Sequence, residues 1–523
     1  MNDNHVKVAL ISLGCAKNLV DSEIMLGSLL RCGLELTTVP EDADVLLINT
    51  CSFIQAAQEE SINTILQADC RRGNEEDEEG EKGRQSQTII VTGCLPQRFP
   101  EELPGLMPEV DAFMGVDKLE EIPQILQKAM ERRRQVQGLQ QIYPDLSKCP
   151  ELPPAYVSVS SRPTYLHNSK TLRLDLTPRY FKYLKIAEGC NHACSFCAIP
   201  QIRGSYRSRL PEDILREVRA AVKNGCREIN LISQDTTRYG SDLSRKKVKL
   251  PTEAKNLMTY LVRKMNGIHG EFWIRLLYTH PAHWTNELIE AIADCRKAVK
   301  YFDIPLQHIH PTILEKMDRR TPEKKIRSLL DKIRDIIPLA TIRTTFIVGF
   351  PGETEEHFNY LLDFVREQKF QKVGVFAYSP QVGTRAALLP GRVTEAVKRR
   401  RLEKLMEVQR QISFQEHQSW IGKELPVLVE RPLRAEELAG VQVLTGESGK
   451  TRGSTHRSIE LDQSWWVCRS GGDAPDVDGR VYLKQKEGLK EGEFIRVKVI
   501  DCREYDLLAE AVSEEEYLER IQT

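Results

Sequence analysis

Thirteen cysteines are spread over the 523 residues, and two trios among them have the setting of metal ligands. The tighter trio is Cys190, Cys194 and Cys197, in EGCNHACSFC, a C-x3-C-x2-C spacing. Three thiolates on one loop can hold three irons of a 4Fe–4S cluster. The fourth iron then stays open to an exogenous ligand, as in catalytic metal sites. The next cysteine is Cys226, so a tetrahedral zinc site would need His192 as its fourth ligand. Three unrelated buried cysteines are the plain alternative. The looser trio is Cys15, Cys51 and Cys94, set in LISLGC, LLINTC and IVTGC. Each follows the end of an expected strand. If those strands are parallel, the three thiols share the carboxyl edge of the sheet, where open α/β sheets bind ligands. They could hold a second cluster, with Gly14 and Gly93 letting the backbone approach closely. The competing reading is three separate structural cysteines. Cys32, Cys70, Cys149, Cys226, Cys295, Cys468 and Cys502 lack such a setting.

Other polar groups also fall at expected strand ends. Gly349, Gly352 and Glu353 lie in GFPGE after an apolar run, and Gln234 with Asp235, and Gln307 with His308, follow two others. All are candidates to line a pocket, and exposed loop positions are the competing reading.

Composition bounds the rest. Lys+Arg number 74 and Asp+Glu 75, a net charge of -1, so no global attraction to nucleic acid is expected. The N-terminus lacks a basic signal-peptide region, and no run of 18 apolar residues occurs. A cytoplasmic protein with no membrane span is therefore expected. An odd number of cysteines in a reducing compartment disfavours a disulfide framework.

The elements that must position these residues read as α/β. Strand-like runs at 6–13, 45–49 and 88–92 alternate with helical patterns at 21–30 and 55–68, which predicts an open parallel sheet over 5–143. The acidic stretch 75–81, inside 71–87, predicts a solvated insertion. Residues 144–179, rich in Pro and Ser, predict a linker. Strand candidates at 183–186, 228–232, 272–277, 301–304, 342–348 and 372–377 predict a full or partial β/α barrel over 180–418, closed by a basic helix at 394–418. Short strands at 426–430, 481–483 and 494–500 predict a small antiparallel barrel over 419–513.

The cysteine loop resembles the radical S-adenosylmethionine (SAM) superfamily. There the cofactor binds the open iron and yields a 5′-deoxyadenosyl radical that abstracts hydrogen. The resemblance implies that Phe196 packs near the adenine, and that the glycine-rich segment Gly349–Glu353, with Gln234 and Gln307, lies near the cofactor. Across nearly the whole chain the sequence is similar to the methylthiotransferase family, with a cluster-binding domain, a radical SAM barrel and a TRAM β-barrel. Within it, ISLGCAKNLVDSE at 11–23, IRLLYTHP at 274–281, DIPLQH at 303–308, SPQVGT at 379–384 and DAPDVDG at 473–479 resemble the RimO type. That type modifies the twelfth protein of the small ribosomal subunit. The resemblance implies two 4Fe–4S clusters, on Cys15/Cys51/Cys94 and Cys190/Cys194/Cys197, and SAM as cofactor. It implies addition of a methylthio group to the β-carbon of an aspartate, with an electron donor such as flavodoxin or ferredoxin and an unidentified sulfur donor. The tail, 14 Lys+Arg against 17 Asp+Glu in 421–512, fits a basic ribosomal protein better than RNA. A MiaB-like tRNA methylthiotransferase is the alternative within the family. A non-catalytic iron–sulfur carrier or RNA-binding module is the alternative of another class. Ala16 stands where the type commonly has proline, and the stretch at 443–465 is unusual for it.

Overall fold

The computed structural model describes residues 6–73, 87–143, 148–244, 256–434, 437, 464–486 and 488–512. The acidic run 75–81, and the unusual stretch up to residue 463, lie outside the described residues.

The first sheet has six strands, all parallel, in the order β2-β1-β3-β4-β5-β6. They are β1 Lys7–Ser12, β2 Glu35–Thr37, β3 Val45–Thr50, β4 Thr88–Gly93, β5 Ala112–Met114 and β6 Tyr156–Ser158. β3 and β4 are buried along their whole length. Helices cover both faces of these central strands, which is why they read as VLLINT and TIIVTG and not as an alternating pattern. β6 lies inside the expected linker. The segment 144–179 thus supplies the sheet's last strand and then crosses helix Ala16–Arg31, where the Leu174 amide donates to the Glu23 carbonyl. Pro and Ser composition hides so short an edge strand.

Six parallel strands then form a half-barrel: β7 Phe181–Lys185, β10 Glu228–Ile232, β11 Trp273–Leu276, β12 Tyr301–Asp303, β13 Thr341–Val348 and β14 Lys372–Ala377. They divide into two three-stranded sheets, β11-β10-β7 and β12-β13-β14. Two short strands, β8 Ala187–Glu188 and β9 Arg207–Ser208, pair antiparallel and close the base of the cysteine loop. Between strands and outer helices lies the main apolar core, with Leu231, Ile274, Phe302, Phe346 and Phe364 all nearly inaccessible.

The C-terminal barrel is closed, in the order β15-β16-β17-β19-β18. Its strands are β15 Glu424–Pro432, β16 Trp465–Ser470, β17 Val481–Lys484, β18 Phe494–Cys502 and β19 Leu507–Ala511. One pairing departs from the antiparallel expectation: β17 and β19 run parallel. Closure requires it, because an odd strand count cannot alternate direction all round. The barrel sits on the amino-terminal end of the half-barrel. There Glu228, fully buried, accepts from Arg275 at 2.7 Å and from Arg469 of β16 at 2.5 Å. The segment after β16 adds three acids: Asp473 pairs with Lys372 at 2.8 Å, and Asp476 and Asp478 accept from the hydroxyls of Tyr183 and Tyr301 at 2.9 and 2.6 Å.

Candidate functional site

Cys15 is the N-cap of helix Ala16–Arg31, Cys51 directly follows β3, and Cys94 opens the short helix Cys94–Arg98 after β4. All three lie at the carboxyl edge of the parallel sheet. Neighbouring residues link them: Cys94 sulfur lies 3.6 Å from Asn18 Oδ1, and Gly14, next to Cys15, abuts Cys51. Gly14 explains part of the approach. Its φ is +89°, and a Cβ there would stand 2.7 Å from Cys51 Cβ and 3.1 Å from its sulfur. Asn18, one turn into the helix, ties the edge together. Its side-chain amide donates to the carbonyls of Leu13 and Thr50 at 3.1 and 2.9 Å.

The second trio surrounds an open cavity of about 530 Å³, whose wall includes Asn191, His192, Gln201, Thr384 and Arg385. The loop is shaped by its backbone: the Cys190 amide donates to the Gly204 carbonyl at 3.0 Å, and the Cys197 amide to that of Cys194 at 3.2 Å. Gly189 has φ +77°, and its Cα packs against the backbone of Gly204 and Ser205, where a Cβ would find no room. Arg319 points a guanidinium nitrogen at Cys194 sulfur, 3.6 Å away.

A buried charged seam docks the first trio's edge against the half-barrel. Arg203 ends the helix Ile199–Arg203 that follows the cysteine loop. Its guanidinium lies 3.4 Å from Cys94 sulfur, 2.6 Å from Asp21 and 3.5 Å from Glu188. Lys185 closes the seam by bridging Asp21 at 2.5 Å and Glu188 at 2.8 Å. Arg98, from the first domain, donates to Gln381 Oε1 at 2.7 Å and to the Val382 carbonyl at 3.0 Å in the second.

Electrostatics differ between the thiols. Burial raises Cys51 to about 12, Cys190 to about 11 and Cys197 to about 12. Burial also raises Cys94, against the pull of Arg203. At Cys15 desolvation is outweighed by Lys17 and Arg203, which draw the thiol below its ordinary value. Desolvation lowers Lys17 itself to about 8, while its ammonium sits 3.0 Å above the Tyr278 ring. Thiols held up by burial need a compensating cation to ionise, and iron or zinc supplies that.

The other expected residues are placed as follows. Phe196 packs with Ile313, Met317 and Phe350 beside the cavity. Gln234 donates to Glu188 at 2.7 Å, and its Oε1 is buried without a protein partner. Gln307 has φ +74° and bridges to β13 through its backbone, donating to Thr345 and accepting from Ile347. Glu353 is almost fully buried and braces its own turn, accepting from the amides of Gly349 and Phe350. Cβ atoms added at Gly349 and Gly352 would meet Lys398 and Lys316, so both glycines serve packing of the chain against itself. His192 turns its Nε2 to Asp235, 2.7 Å away. Asp21, Arg203, Lys185 and Arg319 were not anticipated. The signal for the first was a pair of acids, Asp21 and Glu23, among the buried residues of one helix; the basic residues carried none.

Matches to known families follow the same three parts. A model described as the radical SAM superfamily matches residues 184–365, one described as uncharacterized protein family UPF0004 matches 7–115, and a TRAM domain model matches 459–512. Curated relatives span the whole chain. The ribosomal protein uS12 methylthiotransferase RimO of Opitutus terrae is 44% identical, covering 96% of this chain and 96% of its own. Those of Pelotomaculum thermopropionicum and Geobacter sulfurreducens are 41% and 40% identical, covering 97% and 98% of this chain and 99% and 100% of their own. The chain belongs to the RimO family of methylthiotransferases, within the radical SAM superfamily.

Proposed function

We propose that this enzyme adds a methylthio group to the β-carbon of an aspartate in ribosomal protein uS12, using one 4Fe–4S cluster on Cys190, Cys194 and Cys197 and a second on Cys15, Cys51 and Cys94. The observation that carries the reading is the trio Cys190, Cys194 and Cys197 lining one open cavity, with Arg203 of the helix after that loop docked 3.4 Å from Cys94 sulfur. The donor sets fit the groups: three thiols each, and beside the second an open cavity of about 530 Å³. When bound, the clusters and SAM would supply a carbon radical, a sulfur atom and a methyl group.

The chain's own residues do the rest. Arg203 and Arg319 place guanidinium charge against thiolate sulfur, which favours the ionised ligands. Asp21 and Glu188 neutralise the Arg203 and Lys185 charges that this requires. Gln234 leaves a buried carbonyl oxygen beside Glu188, an acceptor for a donor of the cofactor. Phe196 offers an apolar surface beside the loop for its base. Among the described residues no helix is long and apolar enough to cross a membrane, and a ribosomal-protein substrate, free or in the ribosome, puts the enzyme in the cytoplasm. A small reduced protein such as flavodoxin or ferredoxin is the proposed electron donor.

Two measurements test this. In a strain lacking the gene, uS12 should lose one methylthio group by mass spectrometry, and complementation should restore it. Loss from tRNA instead, with uS12 still modified, would favour the MiaB-like alternative. Anaerobically reconstituted wild type should hold about eight irons, falling to about four in Cys190/Cys194/Cys197→Ala. About four in wild type would remove the second cluster.

A further inference from the structure

A separate set of metal-ligating atoms lies beside the cysteine loop and is not used in the reaction proposed above. His192, Asp235, His280 and His283 each bring one nitrogen or oxygen within 4.8 Å of all the others. They come from three different loops: His192 from the cysteine loop, Asp235 from the loop after β10, and the other two from the loop after β11. Asp235 is fixed from behind. Its Oδ1 accepts from Thr237 Oγ1 at 2.7 Å and from the Arg238 amide at 3.2 Å. Its Oδ2 therefore points at the imidazoles, 2.7 Å from His192 Nε2 and 2.6 Å from His283 Nδ1. His280 stacks on His192, ring centroids 4.0 Å apart and 8° from parallel, and its Nδ1 accepts from the Ala282 amide at 3.2 Å, a contact that a bound metal would replace.

Three imidazoles and a carboxylate are the donor set of a first-row divalent ion, and zinc favours such sets in tetrahedral geometry. An anionic ligand is disfavoured, because the buried Asp235 carboxylate would repel it. Ligand atoms of a tetrahedral zinc lie about 3.3 Å apart at the usual bond lengths. The two short pairs must open by less than about 1 Å, and the widest separation must close by about 1.5 Å. His192 and His283 can do this by side-chain rotation, since their side chains are 18% and 30% exposed. Asp235 need not move, and its contacts to Thr237 and Arg238 are the outer support that metal carboxylates require.

We propose that His192, Asp235, His280 and His283 bind one zinc ion, which clamps the cysteine loop to the strand ends of β10 and β11. No cluster thiol takes part, so zinc and clusters can be held together. The test uses the cluster-loaded holoenzyme, dialysed anaerobically against zinc sulfate and then against metal-free buffer, with zinc and iron counted by mass spectrometry. Wild type should retain about one zinc per chain with iron unchanged. His283→Gln, the most exposed ligand, and Asp235→Asn should each weaken zinc binding more than tenfold, with iron content and circular dichroism as in wild type. The proposal is overturned if wild type retains no zinc, if both variants retain it equally, or if zinc is gained only as iron is lost. The last result would place the zinc on the cysteines.

Discussion

Cys15, Cys51 and Cys94 come together because small residues sit beside them. Gly14 is the sharpest case, since its positive φ and the adjoining Cys51 both exclude a side chain. Gly14→Ala should cost about 1–2 kcal/mol from the left-handed backbone alone. It should also push Cys51 away, so iron content should fall towards that of a single cluster while the Cys190 loop keeps its own. Unchanged iron would show that the edge tolerates a Cβ and that Gly14 does not position the trio. Burial raises the thiols of Cys51, Cys190 and Cys197, so each ionises only when a metal or a guanidinium answers its charge.

At the scale of elements, helix Glu395–Gln418 joins the half-barrel to the C-terminal barrel, and its last turn carries a pH-sensitive group. His417 is 9% exposed, donates to the Arg503 carbonyl at 3.2 Å, and lies near Lys372. Burial, then the Lys372 charge, lowers its pKa to about 4. The folded state therefore keeps it neutral, while the unfolded chain protonates it near 6.5. Its contribution is whole above about 6.5 and is lost as pH falls from there towards 4, amounting to at most about 3 kcal/mol. Urea midpoints of wild type and His417→Gln, measured across that range, should converge as pH falls. A constant gap between them would mean His417 does not titrate in this window. Short elements are where sequence periodicity gave least. β2, β5 and β6 have three residues each, too few to display a period, and β6 hid in a Pro-rich stretch.

Across the whole molecule, one buried seam joins the N-terminal sheet to the half-barrel. Arg203 meets Asp21, Asn18 and Cys94 on one side and Glu188 on the other. Arg203→Met would leave Asp21 and Glu188 with Lys185 as their shared cation. Removing one partner from a buried ionic group typically costs about 3–5 kcal/mol. The variant should melt at lower temperature and be cleaved by protease within 159–179, between the two domains. A wild-type proteolysis pattern would show that the Lys185–Asp21 bridge and the remaining contacts hold the domains together without Arg203.

Much of this was legible in the sequence, for local reasons. The spacing of Cys190, Cys194 and Cys197 is a property of one loop, and the strand-end contexts LISLGC, LLINTC and IVTGC are properties of single strands followed by turns. Half-barrel strands such as β10 and β11 showed themselves as apolar runs because both their faces are covered, whereas β14 is only partly buried. What the chain alone could not specify was contact between segments distant along it. That Arg203 faces Cys94, that Lys185 bridges Asp21 and Glu188, and that His192 meets Asp235 and His283 depends on how domains and loops dock. Basic and histidine side chains carry no periodic signal, because their long or polar groups are accepted in a core only where a distant partner satisfies them. The sequence by itself grouped the thiols by loop spacing and by strand-end context, and that grouping is the expectation the iron counts test. The tertiary structure decided that the Cys94 edge docks on Arg203 and Glu188 of the half-barrel, because only folding brings those buried charges together.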